Sequence, residues 1–146
     1  MRDPYATHIR PLKALLAAEK PKRVLEYGGG PYSTGIFLSC DHVELVVTVE
    51  TDPDWRGLLS DMYETRRHRV LSSGTPNAQD FDLIFIDNGT TARERVHTIR
   101  SVLSKPHPTV VIHDAEVEEY AKAIAGHPAT VFPTRPDTAV ITATKQ

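Results

Sequence analysis

One stretch of this chain constrains its fold more than any other: Val24-Leu25-Glu26-Tyr27-Gly28-Gly29-Gly30-Pro31-Tyr32-Ser33-Thr34, with Glu50 lying 22 residues past Gly28. An apolar run ends in three glycines, and Ser33 and Thr34 can open a helix. A second apolar run, residues 43–49, then ends in a carboxylate. This is the layout of a strand, a tight loop, a helix and a second strand. Glycines let the backbone approach a ligand closely, and an acid at the tip of the second strand can hold two ribose hydroxyls. The unit implies a nucleoside-binding α/β domain.

The rest of the chain alternates in the same way. Residues 8–18 carry Ile9, Leu12, Leu15 and Leu16 at helical spacing, interrupted near the start by Pro11. Strands are expected at 23–27, 43–49, 68–72, 81–86 and 109–112, and a short helix at 33–40. Asp52-Pro53 reads as a cap followed by proline at the first helical position. Trp55, Leu58, Leu59 and Met62 follow as an apolar stripe, which assigns Trp55 to the core. Thr91-Ala92-Arg93-Glu94 is a capping box for a helix with Val96, Ile99, Val102 and Leu103 on its apolar face. A last helix carries Val117, Tyr120, Ala121 and Ile124 and stops at Gly126. The link 73–80 has no room for a helix, and 129–132 with 138–143 read as a closing antiparallel pair. Such alternation implies a mainly parallel sheet covered on both faces, with its ligand site at the carboxyl ends of the strands. Gly28–Gly30, Glu50, Ser72–Gly74, Asp87 and His113–Asp114 all fall at those ends.

Length and composition narrow the class. The 146 residues suit a single domain, 1–146, with residues 1–20 as an N-terminal helical segment. A net charge of -2 gives no electrostatic reason to expect a nucleic-acid partner, and Arg66, Arg67 and Arg69 read as a solvated helix end. The one cysteine, Cys40, allows neither an intrachain disulfide nor a cysteine-built zinc site. No run approaches a membrane span and no signal-peptide core opens the chain, so a cytoplasmic protein is expected. The seven histidines show no metal-ligand spacing.

The dinucleotide pattern G-x-G-x-x-G starts at Gly28 and Gly30 but meets Ser33 at its third glycine. Glu26, two residues before Gly28, is unfavourable beside a pyrophosphate and suits a cofactor with a cationic amino group and no phosphate. Here the chain resembles the class I S-adenosylmethionine-dependent methyltransferases. Glu26-Tyr27-Gly28-Gly29-Gly30 matches their E-x-G-x-G loop and Glu50 their ribose-binding acid. The segments Thr48–Trp55, Phe81–Asp87 and Val111–Asp114 are similar to their acidic strand end and to their fourth and fifth strand ends. The resemblance covers roughly residues 20–144. It implies a three-layer Rossmann-like methyltransferase fold: a mainly parallel seven-stranded sheet with a C-terminal antiparallel strand. It implies S-adenosyl-L-methionine as cofactor and S-adenosyl-L-homocysteine as product. Gly28, Gly29 and Gly30, with Tyr27, Ser33 and Thr34 around them, would lie along the methionine part. Glu26 would act near its amino group through water, and Glu50, with Thr51, would hold the ribose. No acid directly follows the third strand, so adenine would fall to Ser72, Ser73, Gly74 or backbone groups.

Methyl transfer from a sulfonium is an in-line displacement in which the protein supplies alignment and sometimes a base. Candidate bases are His113, Asp87 and Asp114, with Asp87 also near the cofactor. Each has a structural alternative: His113 a strand-end histidine bonded to backbone, Asp114 an N-cap for the last helix, Asp87 a turn residue before Asn88-Gly89. Asp87, Asn88 and Asp114 also permit a hard-cation site, as in catechol-type methyltransferases, but a metal is not the favoured reading. Tyr5, His8 and Arg10 either close over the site or pack on the sheet edge. The acceptor is not readable. With little chain beyond the core fold, its pocket is expected to be shallow or completed by a second subunit, hence a homodimer. Three other readings stay open: an aminopropyltransferase using decarboxylated S-adenosylmethionine, a nicotinamide-dependent enzyme, and a cofactor-binding module without chemistry.

Overall fold

The structure, a computed structural model, describes residues 3, 6–89 and 91–144. Its helices are α1 (Ile9–Glu19), α2 (Thr34–Leu38), α3 (Pro53–Met62), α4 (Ala92–Leu103) and α5 (Glu118–Ile124). Its strands are β1 (Arg23–Tyr27), β2 (Leu45–Val49), β3 (His68–Leu71), β4 (Leu83–Ile86), β5 (Thr109–His113), β6 (Ala129–Phe132) and β7 (Thr138–Ile141). They form one seven-stranded sheet in the order β3-β2-β1-β4-β5-β7-β6. Strands β1 to β5 pair in parallel, whereas β7 runs antiparallel to both β5 and β6. This is the mainly parallel seven-stranded sheet with a C-terminal antiparallel strand that the resemblance implies.

The central strands are buried on both faces, which is why they read as continuous apolar runs. On one face Leu25, Ile84, Ile86 and Ile112 pack against Ile99, Val102 and Leu103 of α4 and Tyr120 and Ile124 of α5. On the other, Val24, Val46, Phe85 and Val111 meet Leu12 and Leu16 of α1 and Phe37 of α2. Burial of that apolar area drives the layers together, at about 25 cal/mol per Å² removed from water. Order reverses between β1 and β4, and the carboxyl ends of strands diverge at such a switch point.

The Asp52 cap and the turn-like link after β3 are as expected, and other local expectations are corrected. Pro11 does not interrupt α1, because it occupies the first turn, where its missing N–H has no helical partner to lose. The link after β3 holds a single 3-10 turn, Ala78–Asp80. Asp52 caps α3, its carboxylate accepting from the N–H groups of Asp54 (2.9 Å) and Trp55 (3.0 Å). Of the α3 stripe, however, only Leu59 is buried, and Leu58 and Met62 are each 51% exposed. Asp114 does not cap α5. Ala115 and Glu116 stand in a turn before the helix, Val117 takes the cap position, and Asp114 adopts a left-handed φ of 58° with its carboxylate elsewhere. Among the described residues, no helix is long and apolar enough to cross a membrane.

Candidate functional site

A cavity of about 650 Å³ opens at the switch point, walled by the ends of β1, β2 and β4 and by the start of α3. The glycine loop is its floor. Gly28 has a φ of 76°, and a Cβ there would stand 2.6 Å from the carbonyl oxygen of Asp87. At Gly29 a Cβ would lie 2.8 Å from both Thr34 Oγ1 and Thr48 Cγ2. Any side chain at either position would force the loop off the sheet. Gly30 donates its N–H to Thr34 Oγ1 at 3.0 Å.

Glu50, at the tip of β2, faces the cavity. Burial raises its carboxyl above the usual range, opposed by backbone hydrogen bonds from Asp52 and Gly29. Thr51 and Ser33 also line the cavity. Trp55 is not core. Its Nε1–H donates to the Gly29 carbonyl at 2.7 Å, and its half-buried ring forms a wall. The cap at Asp52 turns α3 so that the position read as core faces the loop instead.

Other expected residues lie off this cavity. Glu26 is fully buried beneath the loop, where Thr34 and Thr48 hydroxyls donate to its Oε1, the latter at 2.6 Å. Burial pushes its carboxyl up to about 7, against the pull of those hydroxyls and of Ser33. Thr34 is buried with it. Tyr27 points to the opposite sheet face, into a separate cleft with Thr75 to Gln79 and Ser101 of α4. Ser72, Ser73 and Gly74 are exposed and form no part of the cavity wall.

The candidate bases come together around a residue the sequence did not single out. Arg95 of α4 is buried, and its guanidinium meets Asp114 Oδ2 at 2.8 Å and Asp87 Oδ1 at 3.2 Å. It also donates to the backbone carbonyls of Asn88 (2.8 Å) and His113 (3.3 Å) and covers the Tyr120 ring. The signal was present: Arg95 is four residues before Ile99 and seven before Val102, on the apolar face. A charge there needs a partner.

His113 is buried, with Nδ1 3.2 Å from Asp87 Oδ1 and Nε2 3.2 Å from Thr7 Oγ1. Burial pushes its pKa down, but the hydrogen bond and charge of Asp87, helped by Asp114, carry it above the ordinary value. Of His113, Asp87 and Asp114, only Asp87 faces the cavity. His8 lines the cavity as well. Its Nε2–H donates to the Tyr32 carbonyl at 2.7 Å, its ring sits edge-on to His113 at 4.7 Å, and burial lowers its pKa. Tyr32 lines the cavity and donates its hydroxyl to Asp3. Arg10 is exposed on α1, and Tyr5 lies outside the described residues.

Ligand atoms of Asp87, His113 and Asp114 lie within 4.8 Å of one another, a grouping able to hold a cation. Arg95 already bonds both carboxylates, and Asn88, the third ligand the spacing suggested, donates its Nδ2 to Thr98. The buried guanidinium brings its own positive charge to this group and uses one oxygen of each carboxylate, which works against a second cation there.

No protein-family model matches this sequence, and no curated protein does. Solved structures match in fold. The methyltransferase domain of bacterial CtHen1 superposes with a TM-score of 0.70 at 12% identity, over 96% of this chain and 100% of that one. The N-methyltransferase NodS from Bradyrhizobium japonicum WM9, solved with S-adenosyl-L-homocysteine, gives 0.64 at 13% identity, over 92% and 83%. Spermidine synthase from Thermotoga maritima gives 0.61 at 15%, over 97% of this chain and 60% of that one. The fold is therefore that of the class I S-adenosylmethionine-dependent methyltransferases, a scaffold that serves more than one reaction.

Proposed function

We propose that this chain binds S-adenosyl-L-methionine in the cavity and transfers its methyl group to an acceptor. The observation that carries this reading is convergence. The bare backbone of Gly28–Gly30, the Glu50 carboxylate and the Asp87 carboxylate face one space of about 650 Å³.

The bound cofactor would supply an electrophilic methyl on a sulfonium. The protein's part is alignment. The glycine loop holds the methionine portion, Glu50 accepts hydrogen bonds from two ribose hydroxyls, and Trp55 keeps Gly29 in place. Asp87 faces the acceptor side and takes its proton. Arg95 and His113, both bonded to Asp87 Oδ1, fix that carboxylate from behind. Asp114 anchors Arg95, so His113 and Asp114 act through Asp87 rather than on the substrate. A second subunit completing the acceptor side of the open cavity would make the protein a homodimer, which sedimentation at micromolar concentration checks.

The test is a calorimetric titration with S-adenosylmethionine and S-adenosylhomocysteine, followed by methyl-transfer assays against small amines, alcohols and thiols. One-site micromolar binding supports the reading. Turnover separates an enzyme from a binding module. Tighter binding of decarboxylated S-adenosylmethionine would favour aminopropyl transfer, and of a nicotinamide dinucleotide a redox enzyme. No binding of either sulfonium ligand at millimolar concentration would overturn the reading.

A further inference from the structure

Glu26 lies within the motif that suggests a cofactor contact, yet the cavity does not reach it. Its geometry gives it other work. Thr34 and Thr48 both donate to Glu26 Oε1. A hydroxyl has one hydrogen and rotates freely, so what it donates to decides where its lone pairs point. With its hydrogen on Glu26, Thr34 Oγ1 turns a lone pair to the Gly30 N–H at 3.0 Å. Gly29 rests on the same two threonines, within 2.8 Å of each by the position a Cβ would take. The two inner glycines of the loop are thus seated on side chains that a single carboxyl holds.

We propose that Glu26 is a positioning residue: it clamps Thr34 and Thr48 beneath Gly29 and Gly30, setting the path of the loop without touching the cofactor. Only the effect on affinity rests on the function proposed above. The effect on the loop does not.

The test compares Thr34→Val, Glu26→Ala and Glu26→Gln in the full chain. The first readout is hydrogen exchange of the Gly30 amide by NMR, with the Ile84 amide of β4 as internal reference. Loss of one hydrogen bond gives about tenfold faster exchange at Gly30 in Thr34→Val and Glu26→Ala. Glutamine keeps an acceptor oxygen, so Glu26→Gln rescues the protection lost in Glu26→Ala. Should Glu26→Ala fail to fold, Thr34→Val carries the same prediction with little change of volume. The second readout is S-adenosylhomocysteine affinity, which should follow the same order, with the Glu26 and Thr34 effects less than additive. Unchanged Gly30 exchange in Thr34→Val and Glu26→Ala overturns the proposal whether or not the ligand binds. So does an affinity loss in Glu26→Gln equal to that in Glu26→Ala with Thr34→Val unaffected, which marks direct contact of the carboxylate with ligand charge. Absent binding by the unaltered protein with Gly30 exchange as expected overturns the function alone.

Discussion

Replacing Glu26 by glutamine should change how stability depends on pH, and the size of the change follows from the site. Burial raises the Glu26 carboxyl from an ordinary 4.5 to about 7. Between pH 4.5 and about 7 the native chain therefore holds a proton that the unfolded chain has released. Stability falls as pH rises through that window and is flat above it, by about 1.4 kcal/mol per pH unit and about 3 kcal/mol in all. Glutamine has no such proton to lose. Urea unfolding of both proteins from about pH 4 to about pH 8 gives two profiles whose difference cancels the contributions of His8, His68 and His113 to first order. Glu26→Gln is expected to gain about 3 kcal/mol on the unaltered protein across the window. A flat difference would refute the reasoning, since it would mean that Glu26 ionises as freely in the folded chain as in the unfolded one. A slope of opposite sign would mean that it is an ion paired with a cation.

Glu50→Ala should weaken S-adenosylmethionine binding by about 1.5–3 kcal/mol, the scale of hydrogen bonds to a charged group, as read by calorimetry. Unchanged affinity removes Glu50 from the site. Trp55 is the chain's one tryptophan and a cavity wall, so S-adenosylhomocysteine should alter the intrinsic fluorescence in a saturable way. Trp55→Phe, which leaves the Gly29 carbonyl without its 2.7 Å donor, should abolish that signal and weaken binding by about 1 kcal/mol. Arg95→Leu strips the cation from Asp87 and Asp114 and should cost about 3 kcal/mol in urea unfolding, with Asp114→Asn recovering part of the loss. A cost under about 1 kcal/mol would show the pair to be solvated.

Much of the sheet was legible because parallel strands buried on both faces appear as uninterrupted apolar runs, and glycine, proline and capping residues mark where they end. The position of Glu50 on the cavity wall was legible for the same reason, since a carboxylate that closes such a run stands at the carboxyl end of the sheet. Three residues were not placed correctly, each through a geometric detail that periodicity does not carry. Trp55 shares helical spacing with Leu59, but α3 touches the rest of the protein along a narrow line, and one step around the helix moves a side chain from core to cavity. Asp114 precedes an apolar stripe, yet a two-residue turn delays the helix and frees its carboxylate for Arg95. Glu26 alternates with Tyr27, so it shares a face with Val24 and points under the loop rather than over it. Arg95 was visible as a charge on an apolar face, but its partners come from the ends of two strands that only the folded sheet brings together.

The segment before α1 is stitched down at three points, two of them at the site. His8 holds the Tyr32 carbonyl, and Thr7 meets both His113 and the Pro136 carbonyl. The chain beyond β7 behaves differently: Thr144 bonds to His107 at the opposite end of the sheet, where β5 begins. This sets a practical asymmetry: a label or anchoring point at Thr7 or His8 acts on the pocket wall itself, whereas one at Thr144 acts at the far end of the sheet and leaves the pocket undisturbed.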